Sequence, residues 1–102
     1  MNRFIGRCKD ILSKHYGSQF EKLVVYGSAA REQNQPESDI DLLVVLKRPF
    51  DYFRELRVLT EILYPIQIDC DQLISAKPVA SDEFEAGTLQ IYRNAKREGL
   101  TV

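Results

Sequence analysis

The chain has 102 residues, which suits one domain with a single hydrophobic core, and we expect one domain over residues 1–102. Hydrophobic residues make up 44% of it, and 14 basic residues nearly balance 15 acidic ones for a net charge of −1, which argues against a nucleic-acid coat or a polybasic membrane binder. Short apolar runs, no signal-peptide pattern and two cysteines without disulfide or metal-ligand spacing lead us to expect a cytoplasmic protein in a reduced environment.

Apolar periodicity and β-rich runs predict seven elements, which in chain order are a helix over 3–16, a strand over 23–26, a helical turn or two over 29–32, a strand over 39–46, a helix from 51 to about 63, a strand over 66–75 and a helical region over 81–98. Pro65 is predicted to end the second long helix and Pro78 to mark a loop. Gly87 is predicted to interrupt the last helical region, and Gly99 to end it. This order predicts an α/β fold, with a small mixed β-sheet flanked by helices.

Two aspartates lie at the start of the most apolar predicted strand. Asp39 and Asp41 are two residues apart, so a strand directs both side chains to the same side. Aspartate is depleted in strands, and two carboxylates on one face repel each other. A divalent cation between them removes this conflict, and Mg²⁺ prefers carboxylate and phosphate oxygens. The alternative is structural: Asp39 caps a turn and Asp41 is solvated on an edge strand.

A phosphate-binding segment is predicted between the first two strands. Gly27 lets backbone approach a ligand closely, because no Cβ is in the way. Ser28 starts a short helix whose N-terminal amides favour phosphate, although the same residue is also a typical helix N-cap. Arg31 lies in the first turn and can bind phosphate oxygens through two hydrogen bonds, or it is simply solvated. We therefore predict that Gly27, Ser28 and Arg31 bind a nucleotide.

A metal site of this kind needs a further ligand from a neighbouring strand. Asp69 and Asp71 are the candidates, because the predicted third strand places both on one face. Either of them could instead be a surface residue of an edge strand. The residues alone leave this choice open.

Two motifs carry a family resemblance. The run GSAAR at residues 27–31, followed by SDIDLLV at residues 38–44, resembles the signature of the nucleotidyltransferase superfamily related to DNA polymerase β. The short chain is similar to the minimal nucleotidyltransferase (MNT) branch. The run YRNAKREG at residues 92–99 is similar to the closing helix of such proteins, so the resemblance covers nearly the whole chain. A glycine–serine pair alone would carry almost no information, but the combination at this spacing is specific.

The resemblance implies a role for each matching residue. Gly27 and Ser28 would bind a nucleoside triphosphate. Asp39 and Asp41 would hold Mg²⁺ and position the α-phosphate, and the third family carboxylate would correspond to Asp69. These residues imply catalysis by positioning and charge neutralisation.

The resemblance also implies a reaction and a partner. An acceptor hydroxyl would take a nucleoside monophosphate from an NTP, with AMP from ATP expected. Similar minimal proteins act as antitoxins that pair with a helical HEPN-domain toxin and modify it on a tyrosine. The main alternative is a binding module that neutralises a helical partner by contact, without catalysis. Other acceptors are tRNA or a small molecule, although the near-neutral charge argues against nucleic-acid binding by this subunit alone.

Two further groups of residues have structural predictions. Cys8 and Cys70 fall on apolar faces and are expected in the core. Arg93, Lys96 and Arg97 share one face of the final helix. They are expected to be solvated, with a docking patch for an acidic partner or RNA as the alternative.

Overall fold

A computed structural model describes residues 3–26 and 39–102 of the chain. Its elements, in chain order, are helix α1 (Arg3–Tyr16), a short 3₁₀ helix (Gly17–Gln19), strand β1 (Phe20–Tyr26), strand β2 (Ile40–Leu46), helix α2 (Tyr52–Gln67), strand β3 (Ile74–Ala80), helix α3 (Ser81–Ala86), helix α4 (Gln90–Glu98) and strand β4 (Leu100–Thr101). The predicted α/β class is confirmed, since a small mixed sheet is flanked by helices. No helix within the described ranges is long and apolar enough to cross a membrane.

The sheet has the strand order β3-β2-β1-β4, with β2 inside it. Strand β2 pairs antiparallel with β1 and parallel with β3, and β1 also pairs antiparallel with β4. All residues of β2 except Asp41 are buried, as its apolar sequence predicts for a strand covered on both faces. Alternation along β2 divides its side chains between two cores.

One core lies between the sheet and helices α1 and α2, and the other lies on the opposite face beneath α3 and α4. Leu42 and Val44 belong to the first core, together with the buried residues of α1 and α2. Leu43 and Val45 belong to the second, where they pack with Phe84 of α3 and with α4. Cys8 and Cys70 are both buried in the first core, as predicted.

Helix α2 is longer than predicted. Pro65 lies inside the helix, which ends at Gln67, so the prediction that this proline ends the helix is wrong. Leu59, Leu63 and Ile66 are buried at helical spacing, so the apolar stripe continues past the proline. This burial in the core outweighs the one backbone hydrogen bond that proline removes near the end of the helix.

The third strand lies later in the chain than predicted. Strand β3 begins at Ile74, so the prediction of a strand over 66–75 is wrong for most of its length. Pro78 lies within β3 rather than in a loop. A proline is tolerated here because β3 is an edge strand. The N–H of Ile40 donates to the Leu73 carbonyl at 2.8 Å, so the backbone groups of every second residue after Leu73 point toward β2. Pro78 faces the free edge, where a missing N–H costs no ladder bond.

The C-terminal region follows the prediction closely. Gly87 ends α3 in the left-handed conformation, with φ of 66°, and Gly99 follows α4. Arg93 donates from Nη1 to the Gly87 carbonyl at 2.7 Å, and Lys96 donates from Nζ to the Glu85 carbonyl at 2.8 Å. These two cations of the predicted solvated face thus bond the C-terminal end of α3, where positive charge is favoured. Strand β4, which the sequence did not predict, follows directly.

Candidate active site

Asp41 of β2 lies on the side of the sheet away from α1 and α2, and Asp39 directly precedes the strand. Asp41 is two residues before Leu43 in the strand, so both side chains point to the same face of the sheet. Leu43 packs in the core under α3 and α4, and Asp41 therefore points to that side. Its neighbours across the sheet are Tyr26 at the end of β1 and Ser75 on β3. Asp39 lies just before β2 and is exposed. The predicted pair is thus at the end of β2 that adjoins the end of β1.

The electrostatic environment of Asp41 is unfavourable for its own negative charge. Burial raises the pKa of the Asp41 carboxyl, the charge of Asp39 raises it further, and Lys77 acts in the opposite direction. The pKa of Tyr26 is raised as well, first by burial and then by the charge of Asp41. Two carboxylates that are close enough to interact, one of them half-buried, favour a bound cation. The fold thus keeps a charge conflict that a divalent ion would relieve.

Lys77 is the cation of the described residues that moderates this conflict. It lies on β3 beside Leu43, two residues after Ser75, so its side chain shares the face of Asp41. The side chain is exposed, and its charge lowers the pKa of Asp41. Lys77 was not among the predicted site residues, because Pro78 was predicted to mark a loop. The alternation of Ser75 and Lys77 with the apolar Ile74 and Ala76 was the available signal.

The candidates for a third carboxylate do not lie on a strand. Asp69 is in the turn after α2, and its Oδ2 pairs with Nη1 of Arg7 at 3.2 Å. Asp71 lies in a bend and is exposed. Both precede the start of β3, so the reason for placing them together on one strand face no longer holds. Within residues 3–26 and 39–102, no group of three or more histidine, cysteine, aspartate or glutamate side chains is arranged to hold a metal.

The predicted phosphate-binding residues Gly27, Ser28 and Arg31 lie outside the described residues, as do the predicted helical turns over 29–32 and the loop that follows them. In the sequence they follow Tyr26, the register partner of Asp41. Their assignment as nucleotide-binding residues stays a prediction.

Comparison with known proteins settles the family. Residues 7–97 match the family described as "Polymerase beta, Nucleotidyltransferase". The chain belongs to this family. A crystal structure of a candidate nucleotidyltransferase from Sulfolobus solfataricus superposes with a TM-score of 0.58 at 18% identity, covering 97% of this chain and 78% of that one. It shows the same fold. The search of curated proteins returned no match.

Membership of the family gives the carboxylate pair a chemical context. Nucleotidyltransferases of this family transfer nucleoside monophosphates and usually use divalent metals. Asp39 and Asp41 offer the hard oxygen ligands that Mg²⁺ prefers, and Mg²⁺ commonly takes its remaining ligands from water and substrate phosphates. Half-buried Asp41 and exposed Asp39 are therefore the residues that could hold a divalent cation, and their assignment as metal ligands stays a prediction.

Proposed function

We propose that the protein is a Mg²⁺-dependent nucleotidyltransferase that moves AMP from ATP to a hydroxyl of a protein acceptor. The observation that carries this proposal is the electrostatic coupling of two neighbouring carboxylates, since the pKa of Asp41 in β2 is raised by burial and by the charge of Asp39 just before the strand. Bound Mg²⁺ would neutralise charge on the triphosphate and on the two carboxylates. Gly27, Ser28 and Arg31 would bind the triphosphate.

The chemistry is a substitution at the α-phosphorus. The acceptor oxygen forms a bond to this phosphorus, the bond to the β-phosphate oxygen breaks, and pyrophosphate leaves. The proton of the acceptor hydroxyl passes to a carboxylate or to solvent. Asp69 is our candidate for that carboxylate, with Asp71 as the alternative, and Asp69 would first have to leave its exposed ion pair with Arg7. An exposed pair of this kind costs little to break.

The proposed acceptor is a helical HEPN-type toxin for which this protein is the antitoxin. This part rests on the family resemblance alone. The test is transfer of label from α-phosphate-labelled ATP, with Mg²⁺, into a lysate of the host. We expect protease-sensitive label on one protein. Nuclease-sensitive label would contradict the protein acceptor and indicate RNA instead.

Three variants and a matched control identify the carboxylates. Asp41→Asn is expected to abolish transfer, whereas Asp10→Asn, which removes an exposed carboxylate of α1, is expected to leave it unchanged. Asp69→Asn and Asp71→Asn decide between the candidates for the third position, because only the functional one should reduce transfer. Full transfer by Asp41→Asn would show that the site assignment is wrong.

One observation favours a second function, a binding module without catalysis. No group of three metal-ligating side chains is formed within the described ranges, and Asp69 is paired with Arg7. In that case the chain would neutralise its helical partner by contact alone. Asp39→Asn and Asp41→Asn would then leave both partner binding and toxin neutralisation intact, whereas the catalytic proposal expects binding without neutralisation.

A further inference from the structure

Helix α2 has an exposed stripe with apolar side chains at both ends and opposite charges between them. Phe53, Tyr64 and Ile68 are 75%, 61% and 64% exposed. Arg57 and Glu61, between them on the same side of the helix, are exposed too. Among the described residues neither charged side chain has a hydrogen-bond or ion-pair partner. The stripe thus combines apolar surface with two available charges of opposite sign.

An apolar groove of about 180 Å³ lies beside the C-terminal half of this stripe, between α2 and the edge strand β3. Its lining residues are Leu59, Thr60, Leu63, Tyr64, Gln67, Leu73, Ile74 and Ala76. Leu73, at 59% exposure, extends the apolar surface around it.

The free edge of β3 next to the groove is partly closed to strand addition. The side chain of Gln67 accepts from the N–H of Ile74 at 2.7 Å and donates to the Gln72 carbonyl at 2.8 Å, so one edge N–H is already bonded. Pro78 has no N–H to offer farther along the same edge. A partner is therefore better received here through side chains in the groove than as an added strand.

The positions along α2 are self-complementary under a twofold axis. An axis across the helix at Leu59 places Arg57 opposite Glu61 of an antiparallel second copy, and Glu61 opposite the second copy's Arg57. The same axis places Phe53 at the level of Pro65, within about one residue of Tyr64 on the groove. Phe53 and Pro65 are both about 9 Å from the axis along the helix, because the rise is about 1.5 Å per residue. The same antiparallel arrangement of two α2 helices thus pairs Arg57 with Glu61 and brings Phe53 to the apolar groove.

We propose that a second copy of this chain docks on this surface, with the two α2 helices antiparallel and each Phe53 in the groove of the other protomer. The interface is isologous, because one patch supplies both halves of every contact. It has a large aromatic side chain, a groove to receive it and two charge pairs at the centre. The formal net charge of −1 per chain adds little repulsion. Since α2 and Asp41 are on opposite faces of the sheet, the dimer leaves the Asp41 carboxylate open, and the proposal is independent of the proposed function.

The test is charge reversal at the centre of the interface, followed by sedimentation velocity across a wide range of protein concentration. Arg57→Glu turns both attractive pairs into repulsive ones and should raise the dimer dissociation constant by about tenfold or more. The double variant Arg57→Glu, Glu61→Arg recreates the pairs in reverse and should restore the wild-type constant. Arg97→Glu makes the same charge change on α4, away from this surface, and should leave it unchanged.

The proposed dimer is contradicted by a wild-type protein that stays monomeric at the highest concentration. It is equally overturned if Arg57→Glu behaves like Arg97→Glu, or if the double variant does not recover. Circular dichroism of each variant verifies that the exposed substitutions leave the fold intact. Phe53→Ala supplies an independent measurement, because removal of the aromatic ring should weaken the dimer without altering any charge.

Discussion

The substitution Asp41→Asn is predicted to stabilise the fold in the absence of divalent cations. The pKa of Asp41 is raised above its ordinary value of 3.8 by burial first and by Asp39 second. The folded state therefore holds this proton more tightly than the unfolded chain does. The resulting stability is present at low pH and is lost as pH rises from the unfolded pKa through the folded one. At neutral pH the ionised Asp41 thus costs stability, and an uncharged amide of the same shape removes that cost.

The size of the effect follows from the strand geometry. Two residues along a strand separate Asp39 from Asp41 by about 7 Å. Coulomb repulsion at that distance is about 0.6 kcal/mol in water and about 2.4 kcal/mol at an effective dielectric constant of 20. Asp39 is exposed and Asp41 is only half-buried, and Lys77 offsets part of the repulsion, so the lower value applies. We expect a stability gain of about 0.5–1 kcal/mol, or an increase in Tm of roughly 2–8 °C.

Thermal unfolding in EDTA, monitored by circular dichroism at pH 7, measures this gain. Asp10→Asn serves as the control for loss of one negative charge. Mg²⁺ with ATP should then stabilise the wild type more than Asp41→Asn and reduce the difference between them. A variant that is less stable than wild type in EDTA would refute the reasoning, because it would show that the Asp41 carboxylate stabilises the fold.

Three other substitutions and one chemical reaction probe the fold. Gly99→Ala should lower the free energy of unfolding by about 1–3 kcal/mol in denaturant, since an added Cβ would collide with the Ala95 carbonyl oxygen. Gly6→Ala should raise it by about 0.5–1 kcal/mol, because a Cβ added there would meet no neighbouring atom within 4 Å. Asp51→Ala removes the side chain that accepts from two N–H groups at the start of α2 and should lower Tm by roughly 4–8 °C. Burial raises the pKa of Cys8 to about 11, so its reaction with a thiol reagent at pH 7 should be slow in the native protein and fast in urea; equal rates would contradict this.

The elements that bear the carboxylate pair could be predicted because local pattern and tertiary burial agree there. The run from Ile40 to Leu46 has apolar residues on both faces, and the structure buries both. Asp41 is conspicuous because it breaks this pattern, and that inconsistency is why it was predicted as a site residue. The Gly87 and Gly99 boundaries were predictable for a similar local reason, since glycine at a helix end is a backbone signal.

The secondary structure around Asp69 was not predictable, because the spacing of its apolar residues fits both a strand and a helix. In a strand, one face would carry Ile66, Ile68 and Cys70. Ile66 and Cys70, however, are also four residues apart, as on a helix, and both are buried while Ile68 is 64% exposed. The packing of α2 against the sheet favours the helix, and this packing is a tertiary interaction that the local sequence does not reveal. The error displaced the third strand and with it Asp69, and it concealed Lys77.

The central claim is that the carboxylate pair binds nucleotide through a divalent cation, and calorimetric titration with a non-hydrolysable ATP analogue tests it most directly. The account predicts that the wild type binds the analogue in Mg²⁺ and loses binding in EDTA. Asp41→Asn should bind at least about tenfold more weakly in Mg²⁺, while Asp10→Asn should bind like wild type. Equal affinity of wild type and Asp41→Asn in Mg²⁺, or no binding by either, would contradict the account.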